Sequence, residues 1–205
     1  MDEYNPIVVP FAFRPFESFN KKQAEKFFNW YVAQSMTRID CLCNYIRSTG
    51  EKAFSCDYTP ESLIDLWAWF EPEITMVQRK EEDYQAELEA APEWVHASIS
   101  KEEFSYKTLG LITDISFYFA ETFLKNNPSI RWGYFTKPKN EVSVNKPVLM
   151  GFRCSIKLDP RQIVDVCARR SYRQRDKNQL FDAYQVWLED IEPQEAFDAR
   201  RFKEL

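Results

Sequence analysis

Apolar residues recur at helical spacing along much of the chain. Ala24, Phe27, Phe28, Tyr31, Val32, Ile39, Leu42, Cys43 and Ile46 follow Asn20, an N-cap residue with Gln23 three positions on, and predict a long first helix that Gly50 ends. Phe54 to Tyr58 reads as a short extended link. Thr59-Pro60 then opens a second helix with Leu63, Leu66, Trp67 and Phe70 on its apolar face. Ser100 with Glu103 has the form of a capping box for a third helix, which runs to about Asn126 and stops at Asn127-Pro128. Leu111, Ile112, Ile115, Phe117, Phe119, Phe123 and Leu124 surround that helix with apolar positions, as expected of a central element.

Beyond Pro128 the period changes. Ile130 to Phe135 is aromatic-rich, Glu141 to Val144 alternates, and Pro147 to Ile156 is rich in strand formers, with turns at 137–140 and 145–147. A two- or three-stranded antiparallel sheet is expected over about 130–156. Asp159-Pro160 starts a further helix carrying Ile163, Val164 and Cys167, and a last one aligns Leu180, Phe181, Tyr184, Trp187 and Leu188. Residues 1–19, broken by Pro10 and Pro15, read as an extended arm docking on the core, and 192–205 as a polar tail. The predicted fold class is α+β, a mainly helical single domain over residues 1–205 with a small antiparallel sheet.

Composition narrows the function classes. With 17 Phe, 10 Tyr and 6 Trp the chain is rich in the side chains that dominate cores and binding surfaces. Its four glycines, Gly50, Gly110, Gly133 and Gly151, are too scattered for a phosphate-cradling loop, so no nucleotide cofactor is expected. No stretch is apolar enough for a membrane span, and the acidic N-terminus does not resemble a secretory signal. Five cysteines without a CxxC pair suggest free, mostly buried thiols and a cytoplasmic location. Cys41 and Cys43 lie about 200° apart on a helix and cannot chelate one ion, and His96 is the single histidine, so no metal site is expected.

Three groups of residues carry candidate chemistry. Asp114, Tyr118 and Glu121 fall within about 60° of one another on the central helix. Two carboxylates in apolar surroundings are the ingredients of a hydrolase acid/base pair, since burial separates their pKa values. The same stripe also suits solvent exposure, or pairing with Arg131, Arg153 or another base.

Arg169, Arg170, Arg173, Arg175 and Lys177 form a basic run around Tyr172 at a helix end. It can contact phosphates, yet the chain is acidic overall, with a net charge of −5, and nucleic acid is an improbable partner on that balance. A C-terminal helix position and the acidic segment 71–93 account for the same cations. Within that segment Glu81, Glu82, Asp83, Tyr84, Glu87 and Trp94 just beyond it combine negative charge with aromatic anchors, the chemistry a basic protein partner needs.

The stretch 109–152 contains D-I-S-F-Y-F-A-E-T-F, N-P-S-I-R-W, the Lys137-Pro138-Lys139 turn and N-K-P-V-L-M-G-F. It resembles small uncharacterised bacterial proteins, some of them immunity proteins of polymorphic toxin systems. That resemblance implies a cytosolic protein that neutralises a toxin by binding it, and brings no catalytic residues. A non-enzymatic protein-binding module is therefore the leading expectation, with the carboxylate-pair enzyme and the nucleic-acid binder behind it. The oligomeric state is left open.

Overall fold

The first helix, α1 (Lys21–Ser48), begins where the sequence places it, because Asn20 and Gln23 exchange both capping-box hydrogen bonds at 2.9 Å. The computed structural model describes residues 4–12, 14–49 and 54–191. Gly50, expected to end α1, and the polar tail from Glu192 lie outside the described residues. After α1 come α2 (Ser62–Phe70), strand β1 (Met76–Gln78), α3 (Glu81–Ala90), strand β2 (Glu102–Phe104) and α4 (Tyr106–Asn126). The chain continues through β3 (Arg131–Gly133), β4 (Val148–Met150), α5 (Pro160–Arg173) and α6 (Gln179–Leu188).

Central α4 packs on α1 and α5, while α6 packs on α5 and α2. Every residue from Leu111 to Ala120 is buried, in keeping with the apolar positions around the helix. The buried hydrophobic side chains, apart from Val144 and Val148, join into one cluster from Tyr4 in the arm to Tyr184 in α6. This is the mainly helical α+β architecture expected.

Two local expectations are corrected. Helix α4 starts at Tyr106, not near Ser100: Ser105 accepts the Thr108 N–H, while Ser100 Oγ accepts that of Glu102 and so belongs to the turn before β2. Antiparallel pairing with β1, with Met76 opposite Phe104 and Gln78 opposite Glu102, takes Glu102–Phe104 out of the helix and makes a second ladder outside 130–156.

Glu141 to Val144 is a turn, not a strand. Val144 N–H donates to Glu141 O at 3.1 Å, and Asn145, in the left-handed region at φ 61°, donates its side-chain amide to Phe16 O at 2.7 Å. The bonds of the Asn145 amide to Phe16 O and Phe19 O in the arm thus override the alternation. The expected sheet is two-stranded, β3 with β4, Arg131 opposite Met150. Gly151 follows it at φ 116°, where a Cβ would come within 2.3 Å of Ser129 O.

The cysteine expectation is corrected as well. Cys43, on the buried face of α1, forms a disulfide with Cys56 in the link that returns beside it, with Cα atoms 6.7 Å apart. Cys41 and Cys154 are exposed free thiols, and Cys167 alone among the free ones is buried. A pairing made by chain reversal has no local spacing signature. Among the described residues no helix is long and apolar enough to cross a membrane, and no group of His, Cys, Asp and Glu could hold a metal ion.

Candidate functional site

The carboxylate stripe of α4 is divided among three structural contacts. Asp114 has no exposed surface; its Oδ1 accepts from Arg38 Nε at 2.9 Å, and its Oδ2 accepts from Arg38 Nη2 and from the Tyr4 hydroxyl. Arg38 Nη2 also donates to Asn5 O at 2.9 Å, so the pair fastens the N-terminal arm to both helices. Burial pushes the Asp114 carboxyl up, against the Arg38 and Tyr4 hydrogen bonds that draw it down. Burial also draws Arg38 down, but its bond to Asp114 and that carboxylate's charge outweigh this and hold it as a cation.

Tyr118 is buried with its hydroxyl 2.7 Å from Ser62 Oγ and accepting the Tyr58 N–H at 3.1 Å. Glu121, half-buried, accepts from Ser35 Oγ at 3.0 Å. Asp114 and Glu121 therefore serve different neighbours, two helical turns apart. The partner of Asp114 is Arg38, and not the Arg131 or Arg153 considered from sequence. Its signal was present: Arg38 falls on the stripe Ala24, Phe27, Tyr31, Ser35, Ile39 and Leu42 that α1 buries.

The acidic segment forms a projecting arm. β1 and β2 pair at its base, and between them no residue from 79 to 101 is buried. Arg79 takes the place of a core. Its Nη1 donates to Ser100 O at 3.3 Å, its Nη2 lies 2.6 Å from Glu87 Oε2, and its Nε is 4.0 Å from Glu103 Oε2. One side chain thus ties α3 to the strand on the far side. No inspection of helical or strand period would select Arg79, because its contacts cross the loop.

Of the candidate partner residues, Glu87 is engaged by Arg79, and the Tyr84 ring lies under Lys101 Nζ, 5.3 Å from its centroid. Glu81, Glu82 and Asp83 are exposed, and Trp94, in a 3-10 segment after α3, is 85% exposed. Between 81 and 93 the arm carries Glu81, Glu82, Asp83, Glu87, Glu89 and Glu93 without one base. His96 spends its Nε2 on Ala91 O at 2.9 Å.

Comparison with family models, curated proteins and solved structures finds no match. Function has to be argued from the site itself.

The basic run lies at the end of α5 and in the turn after it. Arg169 pairs with Asp165 at 2.8 Å and sits 4.7 Å from the Phe104 ring centroid. Arg170, Arg173, Arg175 and Lys177 are exposed and make no ion pair with described residues. The acidic segment meets this run at Glu71, whose Oε1 accepts the Asp176 N–H at 2.6 Å. Helix α3 keeps its charge for other company.

Proposed function

We propose that this protein is a non-enzymatic binding protein whose acidic arm engages a basic protein partner, in the manner of the immunity proteins that its 109–152 stretch resembles. The observation that carries the reading is the arm itself. A segment from 79 to 101 that buries no residue adds nothing to the core, yet it is closed by a ladder, clamped by Arg79, and carries a Trp that is 85% exposed. An exposed aromatic anchor set in one sign of charge suits a partner of opposite charge, which the field steers and the ring docks. Asp114, fully buried and held by Arg38 and Tyr4, supports a holding role over turnover.

The test is affinity capture from the source cell with three baits: the wild type, a triple reversal E81K/E82K/D83K, and W94A. A stoichiometric basic protein that weakens at high salt and is lost with both variants supports the reading. A partner retained equally by all three baits, or none, overturns it.

The cytoplasmic location belongs to the same proposal. The Cys43–Cys56 disulfide weighs against it, because such bonds persist mainly in oxidising compartments. Thiol counting on protein trapped with alkylating reagent at lysis decides between the two.

A further inference from the structure

A groove of about 360 Å³ opens between the last turn of α5 and the start of α6, lined by Arg170, Arg173, Gln174, Asp176 and Gln179. Its polarity is set from inside the core. The indole N–H of fully buried Trp67 donates to Ser171 Oγ at 3.0 Å, and Ser171 lies 2.9 Å from Gln179 Oε1. An indole nitrogen can only donate, so the serine oxygen accepts there and its single proton goes to the Gln179 carbonyl. The amide is thereby oriented, and its NH2 donors are the atoms left for the groove.

Arg170 and Arg173, at i and i+3 on one helix face, add two guanidinium forks that make no ion pair with described residues. Asp176 brings the single carboxylate of the lining, and its Oδ1 already accepts the Asn178 N–H at 3.0 Å. Two cations and an oriented amide donor thus face one partly committed acid in the lining, while the nearby Glu71 carboxylate is held on the Asp176 N–H. Arg175 and Lys177, exposed in the adjoining turn, extend the positive field.

We infer that this groove is a binding site for a phosphate-type oxyanion, free or as a phosphate monoester. Planar guanidinium groups match the oxygens of such an anion in pairs, and the oriented amide supplies a donor that a repelled or misdirected side chain would not. The site is independent of the acidic arm and stands or falls apart from it.

The experiment is an NMR titration of the full chain with inorganic phosphate, pyrophosphate and adenosine monophosphate, at constant ionic strength held by chloride. Saturable shifts of the Gln179 side-chain amide and of the Arg170 and Arg173 Nε–H signals are expected at millimolar anion. The R170A/R173A variant, altered at exposed positions and so still folded, should bind about tenfold or more weakly. Q179E, which keeps an acceptor for Ser171 but replaces the donor with negative charge, should weaken binding similarly. Tighter binding of the nucleotide than of phosphate assigns the site to a monoester, and equal binding assigns it to the phosphoryl group alone. No saturable shift with any of the three anions, or the same shifts in R170A/R173A, would overturn the assignment.

Discussion

The Tyr4 hydroxyl donates to the Asp114 carboxylate across 110 residues of sequence, at a point where Asp114 has no exposed surface. With Arg38 it makes a buried group that holds the N-terminal arm, α1 and α4 together. A buried pair of this kind contributes less by its net attraction than by the penalty for separating it.

Removing one partner should therefore be costly. Asp114→Asn leaves the Arg38 charge buried without its counter-ion and should lower stability by about 3–5 kcal/mol. Tyr4→Phe removes one hydrogen bond to a charged group and should cost about 1.5–3 kcal/mol. Denaturant unfolding measures both. Hydrogen exchange in Tyr4→Phe should show the loss first in the arm, and an equal loss across α4 would contradict the tethering role.

Arg79→Ala should uncouple the acidic arm from the rest. Because residues 79–101 bury nothing, global stability should change by no more than about 1 kcal/mol, while the amides of α3 lose their exchange protection. Capture of the basic partner should fall with it. A large drop in the midpoint of thermal unfolding would show that the arm supports the core after all.

The cysteines differ in reactivity for separate physical reasons. Cys41 and Cys154 are exposed and should react quickly with a thiol reagent, whereas burial pushes the Cys167 thiol up to about 11 and keeps it protonated at neutral pH. Two fast thiols per native chain are expected. Replacing the paired residues, Cys43→Ser with Cys56→Ser, opens a loop of sequence separation 13 and should cost about 3 kcal/mol.

Alkaline pH should destabilise the fold. Burial raises Cys167, and it also raises Tyr4, Tyr31, Tyr118 and Tyr184 above their ordinary values. In each case the folded state holds a proton that the unfolded state has given up, so stability is full below the unfolded pKa and declines as pH rises toward the folded one. For Cys167 that window runs from about 9 to about 11. Thermal unfolding followed across it should show a falling midpoint, and a flat profile would count against the burial of these groups.

Local chemistry was sufficient for the helices that cap themselves. Asn20 with Gln23 and Asp159 with Gln162 each satisfy N-terminal N–H groups within a few residues, the apolar stripes of α1 and α6 state which face turns inward, and the apolar positions all round α4 mark it as central. The same arithmetic put Asp114, Tyr118 and Glu121 on one stripe of α4. What lies opposite a stripe is set by chain reversals, for which the sequence carries no period. Tertiary structure alone chose Arg38 and Tyr4 for Asp114, joined Cys43 to Cys56, drew Glu102–Phe104 from the helix into a ladder, and made Glu141–Val144 a turn that leads Asn145 to the arm. It also decided that the acids of α3 project with nothing buried behind them. A helix or cap is paid for by neighbours in sequence, but a buried charge, a strand pair or an exposed arm depends on groups brought together only when the core closes.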